Sequence, residues 1–431
     1  MGGSPLKKHR LATVALLLTL STQLHAVNGA NLIGLTPASV AMGGVGIAYN
    51  SGVESIVKNP ALITRLSLPT LLIGANIAGV DLKSRITYAG TPLTTDTGFA
   101  KNNLSTFYIP EVGFVMPLTE NFSAGIGLFG TAGFGIDHRN QTQGSGVLSN
   151  MQAFVLALKL TPAIAYRQGP LGLGLSNHIT YGLLSFGASL PDQTGDPATT
   201  QQRGSGIADA LSGGIQGGIS YDLNDNITLG ATYQTPVTLG FRRAFDFDRN
   251  GVYDDITVEL PAELGVGVDT KLDRLHVALD VKQIYWSKAK FFKALNWRDQ
   301  TVVALGTQYQ ANDQWVLRLG YNYARSIIKD SNNLNALNGR TNLGGAEFFD
   351  SNIAFFNLVG LGGVIGEQTI TAGTAYAFTP HFKLDISAAY GLPKTITQTG
   401  KTSLAGANDT DATYTAKVST IITTAALIFQ F

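Results

Sequence analysis

The chain has 431 residues, of which only 14 % are charged, with a net charge of +1, 50 Gly and no Cys. Low charge with ordinary apolar content excludes disorder, and the balanced charge argues against a nucleic-acid partner, which calls for a clustered basic face. The absence of Cys excludes disulfides, thiolate catalysis and Cys-ligated zinc.

The first 26 residues have the layout of a secretory signal peptide. Lys7, Lys8 and Arg10 precede the apolar run Leu11 to Leu20, and a small residue closes the segment. Cleavage is expected after Ala26, with Ala30 as second choice. About twenty apolar residues are needed to span a bilayer as a helix, so the run is too short for an anchor. Residues 27–67 come next, rich in Gly, Ala and Ser, with no sustained period. Such a stretch builds no core of its own and is expected to form a plug of short helices and turns inside an enclosing structure. Asn59 before Pro60 marks a turn near its end.

From residue 68 to 431 the chain alternates apolar with small or polar side chains. Phe382, Leu384, Ile386, Ala388 and Tyr390 fall on one strand face, opposite Lys383, Asp385, Ser387 and Ala389. There are about fourteen such segments, the seventh at 226–243 and the eighth at 255–270. Every second connection is tight, as at Leu118 to Asn121, Gln168 to Pro170 and Thr379 to His381, and those between are long. Strict sorting of short turns and long loops over an even strand number predicts an all-β transmembrane antiparallel barrel with the plug in its lumen. An exported chain without a spanning helix must close its sheet, because lipid satisfies no backbone polar group. Phe107-Tyr108, Tyr285-Trp286 and Phe429 to Phe431 lie near segment ends, where interfacial girdles sit.

No catalytic constellation is found. The chain contains no G-x-S-x-G elbow, and His138, His178, His276 and His381 lack an adjoining nucleophile motif. Asp246, Asp248 and Asn250, with Gly251 at the sixth position, match the first half of an oxygen-ligand Ca2+ loop. Thr257 replaces the closing Glu, which leaves Asp254 to close the set; the competing reading is a solvated hairpin tip. The run Ser123 to Asp137 carries Gly125, Gly127, Gly130, Gly133 and Gly135. Glycines inside a strand mark a bend, a bulge or a break in the wall.

The Met42 to Ala48 run, the triplet Asn59-Pro60-Ala61, Leu260-Pro261-Ala262-Glu263 and Thr371 to Phe378 together resemble the outer-membrane hydrophobic-compound channels, the long-chain fatty acid and toluene-xylene type. The resemblance implies a monomeric fourteen-stranded barrel blocked by an N-terminal hatch. Such channels take up hydrophobic molecules passively, capturing them in an apolar pocket and releasing them sideways through a kink in the third strand. Gly127, Phe129, Gly130, Gly133, Phe134 and Gly135 fall at the kink, and movement of Val27 to Leu35 frees the ligand. Lipopolysaccharide is the barrier bypassed, and the terminal Phe431 matches the signal read by the barrel-assembly machinery. Where fatty-acid members carry a cation after the fifth strand, this chain has Leu183 to Leu190 without one. Lys293 and Arg298 are the substitutes considered for a carboxylate, and neutral aromatic hydrocarbons are the alternative ligand. An outer-membrane lipid hydrolase is disfavoured for want of a nucleophile and base.

Overall fold

The computed structural model describes residues 27–89, 95–96, 99–139, 150–190, 201–204, 206–246, 250–329, 331–335, 340–343, 346–349, 356–402 and 410–431. The signal-peptide segment and Asp248 lie outside them.

Fourteen strands form the wall. They are β1 (Thr70–Ala89), β2 (Thr106–Pro117), β3 (Phe122–Asp137), β4 (Gln152–Gln168), β5 (Leu171–Leu190), β6 (Ile207–Asn224) and β7 (Ile227–Gln234), then β8 (Glu263–Leu272), β9 (Leu275–Ile284), β10 (Gln300–Gln310), β11 (Trp315–Ala324), β12 (Gln368–Thr379), β13 (Phe382–Thr402) and β14 (Thr410–Gln430). Each pairs antiparallel with the next, and β14 closes on β1 from Gln430↔Thr70 to Asp411↔Ala89. Apart from one stretch between β2 and β3 no edge remains, so the rest of the wall's backbone groups are paired within the sheet.

The period of two sorts the side chains as expected. Ile73, Ile77, Leu173, Leu175, Leu317 and Leu319 face outward and are exposed, while Asn76, Ser176, Arg318 and Asp385 face inward and are buried. For a membrane barrel the outward set is the lipid face. Phe378, Phe382 and Phe429 stack with centroids 5.1 Å apart at the tight-turn end, an aromatic girdle of the expected kind.

Two expectations need correction. The seventh and eighth segments do not run on as wall. After Gln234 and before Glu263 the chain leaves the barrel and forms a separate hairpin, Val237–Phe245 with Asp254–Leu260. Pro236 and Pro261, which have no N–H for the ladder, stand at the two departure points. Val237, Leu239, Phe241, Ile256 and Val258 are all buried, and a Cβ on lumen-facing Gly182 would meet Leu239 and Phe241. The hairpin therefore folds inward. Trp286 is likewise no girdle residue: it is fully buried and packs edge-on against Phe292 and Trp297 inside the barrel.

Candidate functional site

The plug fills the lumen toward the tight-turn end. It contains α1 (Pro37–Ala41), α2 (Ser55–Lys58) and the 3-10 turn Pro60–Arg65. Its core, with Val40, Met42, Val45, Ile56, Leu62 and Ile63 wholly buried, exists only because the wall surrounds it. Helices this short have no independent stability.

Polar contacts fix the plug in place. Asn59 donates from Nδ2 to the carbonyls of Ile47 (2.6 Å) and Ile219 (3.0 Å) and accepts from Ala61 N at 3.1 Å. It thereby joins the turn, the MGGVGIA run and strand β6. Wall residue Asp280 accepts the N–H groups of Gly46 (2.7 Å) and Ile47 (2.9 Å). Within the plug, Glu54 accepts from Leu35 N, Thr36 N and the Thr36 hydroxyl. Burial pushes the Lys58 ammonium below its ordinary range, against the opposing pull of Glu54. The wall yields space where the plug touches it: a Cβ on Gly218 would lie 2.1 Å from Asn59 Oδ1, and one on Gly174 2.2 Å from Ala61 N.

The wall opens on one side. Strands β2 and β3 pair only from Pro117↔Ser123 to Glu111↔Phe129. Beyond that point β2 continues along β1, and β3 continues along β4 with Thr131 as an extra residue between Gly130 and Ala132. Such a bulge bends its strand and interrupts pairing. Pro110, without an N–H, stands at the fork. Above the fork, side chains replace the missing ladder. Cβ positions on Gly130 and Gly135 would run into Ile109 and into Leu104 and Phe107. The plug's own N-terminal hairpin, Val27–Asn28 with Asn31–Leu32, closes the fork from within: Asn31 pairs Ala132, and Gly133 N donates to Ala30 O at 3.0 Å.

Beside the fork and above the hairpin lies a chamber. Phe134, Val155, Leu184, Phe186, Ile256 and Phe292 contribute to an entirely apolar lining, with the inward hairpin supplying part of one side. Below Val27–Leu32 a second cavity is polar on one side, with Lys58, Lys159 and Lys282 among its lining residues.

Of the residues singled out in the sequence, Gly127 to Gly135 bracket the bulge and the fork. Phe134 lines the chamber, whereas Phe129 is fully buried where Cβ atoms on Gly113 and Gly127 would be. Lys293 is exposed and is not part of the chamber lining, and the Arg298 side chain donates from Nε to Ser326 O. Neither is placed toward the chamber's contents. In the acidic loop, Asp246 Oδ2 accepts from buried Arg203 at 2.6 Å and from Gly251 N at 3.1 Å, while Asn250 Oδ1 accepts from Val252 N. Asp254 begins the second strand of the inward hairpin opposite Phe245. Among the described residues no group of three or more His, Cys, Asp or Glu side chains is placed to hold a metal ion. His178 is buried against Thr161 and Gln216, at 3.2 and 2.9 Å.

Comparison with known proteins accords with this geometry. Residues 20–336 match the model of the outer membrane protein transport protein (OMPP1/FadL/TodX) family. The chain belongs to this family. Relatives include outer membrane protein P1 of Haemophilus influenzae, 24 % identical over 86 % of this chain and 89 % of the relative. The long-chain fatty acid transport protein of Escherichia coli is 22 % identical over 80 % and 82 %. Among solved structures, the Pseudomonas putida toluene transporter TodX superposes with a TM-score of 0.64 at 20 % identity, over 92 % of this chain and 99 % of that one. A Pseudomonas aeruginosa FadL homologue gives 0.66 at 15 %, over 95 % and 99 %. The protein is thus a bacterial outer-membrane barrel of a family of channels for hydrophobic compounds. Sequence reasoning missed Thr131, Asp280 and Lys159. Each is one polar residue among several on its strand, and no local pattern distinguishes it.

Proposed function

We propose that this protein is a passive uptake channel, not an enzyme, that passes hydrophobic molecules from the outer face into the membrane. Long-chain fatty acids are the leading ligand. The observation that carries the reading is the fork between β2 and β3, filled by apolar side chains beside an apolar chamber. An alkyl chain gains roughly 0.8 kcal/mol per buried CH₂, so the chamber concentrates a greasy solute without an energy source. Displacement of Val27 to Leu35 opens the way from chamber to fork, and the ligand leaves sideways. The barrel acts as a monomer that bypasses the lipopolysaccharide layer, and Phe431 is its assembly signal. Neutral aromatic hydrocarbons are the second reading, favoured by a chamber lining without a cation.

A disulfide across the fork tests sideways release. A Cβ on Gly130 would lie 3.6 Å from Ile109 Cβ, within the disulfide range of roughly 3.5–4.5 Å, and the chain has no Cys of its own. Oxidised Ile109→Cys/Gly130→Cys protein is expected to bind labelled oleate but not to deliver it in cells until reduced, with toluene run as competitor. Full uptake through the locked wall would refute sideways release.

A further inference from the structure

The mid-lumen cavity beneath the N-terminal hairpin has a volume of about 90 Å³, room for a head group, and is partly open. Its charges are nearly all accounted for. Lys282 pairs with Glu263 at 2.8 Å, and the other Glu263 oxygen accepts from Asn31 at 2.7 Å. Asp280 is taken up by the plug's N–H groups, and Lys58 donates to the carbonyls of Ile33 and Gly44. Lys159 is different: the Glu263 charge acts on it from a distance, but among the described residues Glu263 makes its ion pair with Lys282 and Lys159 makes none. It is 94 % buried, since its relative exposure is 6 %, and among the described residues its ammonium has one hydrogen bond, to the neutral Gln234 Oε1 at 3.0 Å. An ammonium donates three hydrogen bonds and needs a counter-charge when removed from water.

Three further buried atoms of the cavity lining have no partner, Thr131 Oγ1 at the bulge, Asn28 Oδ1 on the hairpin and Asp280 Oδ1, whose carboxylate charge is already engaged through its other oxygen by the plug's N–H groups. Leu32, Ile33, Val57 and Val302 make the remaining side apolar. Lys159 stands opposite Phe129 on β4, one residue below the last β3 pair before the bulge. The cavity is therefore two-sided and lies against the inner end of the fork.

We propose that Lys159 and Thr131 form a binding site for the head group of an amphipathic monoanion, a carboxylate with an apolar tail, at the point where ligand meets the fork. The carboxylate accepts from the Lys159 ammonium and the Thr131 hydroxyl, and the tail lies along Leu32, Ile33 and Val302. This inference rests on the uptake reading and locates charge recognition away from Lys293 and Arg298.

The test compares oleate with the uncharged oleyl alcohol, binding each to full-length protein purified in a non-ionic detergent. Lys159→Met keeps the length of the side chain and removes the charge, and Lys159→Arg keeps the charge. In Lys159→Met, oleate affinity is expected to fall roughly tenfold to a hundredfold, the worth of a hydrogen bond to a charged group, with alcohol affinity unchanged. Lys159→Arg should retain a preference for oleate. Equal affinities of Lys159→Met and wild type for oleate would overturn the site, as would a parallel loss of both ligands. So would loss of oleate selectivity in Lys293→Ala/Arg298→Ala with its retention in Lys159→Met. If wild type binds neither ligand, the uptake reading falls as well, which separates the two failures.

Discussion

Replacing Asp280 by Ala tests how the plug is held. The carboxylate accepts two buried N–H groups, at 2.7 Å from Gly46 and 2.9 Å from Ile47, and nothing else on β9 substitutes for it. Each buried donor left unsatisfied costs about 1–3 kcal/mol, so the plug loses roughly 2–6 kcal/mol of attachment. A mid-range loss of about 4 kcal/mol raises the population of the detached segment by roughly a thousandfold. The wall keeps its ladder, because the backbone of residue 280 still pairs with Gly267 and Ala304. Amide exchange read residue by residue should therefore show protection collapsing at Gly46 and Ile47 while β9 and β10 stay protected. Single-channel recordings should show new openings as the plug loosens. Asp280→Asn, which keeps an acceptor oxygen, should lose less. Unchanged protection at Gly46 and Ile47 would refute the reasoning, and so would a uniform loss across β9 and β10, which would make Asp280 a wall residue only.

Two further predictions concern the outer end. His138 is fully buried just beyond β3, and loss of water pushes its pKa down to about 4, against the pull of Asp137. Unfolded His titrates near 6.5, so between pH 6.5 and 4 the open chain takes a proton that the closed one refuses. Local stability therefore falls as pH drops through that window, by about 3 kcal/mol in all. Protection of the His138 amide, which donates to Met151 O at 2.8 Å, should follow this curve, and a His138→Leu variant should be flat. Arg203→Ala leaves buried Asp246 without its cation, a loss of about 3–5 kcal/mol. Exchange in the Val237–Leu260 hairpin should speed up, and Arg203→Ala/Asp246→Ala should recover part of the loss. If millimolar Ca2+ protects this hairpin in the Arg203→Ala variant but not in wild type, the acidic loop holds the ion only once the arginine has left.

The wall was legible because a lipid-facing strand must be apolar at every second residue, and outward Leu317, Leu319 and Ile386 follow that rule. The same rule misled at residues 237–260, where a hairpin packed inside the barrel alternates just as a wall strand does. Only Pro236 and Pro261 set it apart. Trp286 shows a related ambiguity, since an aromatic at a strand end suits either an interface or an inner core, and local sequence does not choose. The glycine run of β3, Gly127 to Gly135, brackets the bulge at Thr131, where missing side chains leave room that other side chains fill. Lys159, Glu263 and Lys282 were beyond reach: their meeting depends on closure of strands far apart in the chain.

The seam between β14 and β1 has a consequence for how this molecule is made. It is the longest-range pairing in the wall, joining Thr70 to Gln430, and distant pairings form slowly because the chain between them must first be ordered. The plug is covalently joined to β1 and seated in hollows left by Gly174 and Gly218 on the far side. Plug residues Leu35, Val40 and Ile63 share one buried cluster with Leu72 of β1 and with Ile422 and Ala426 of β14. The two strands of the seam thus bury part of their inner faces against the plug, so seating the plug and closing the wall stabilise each other, and the segment that fills the lumen is also a template for the seam that encloses it.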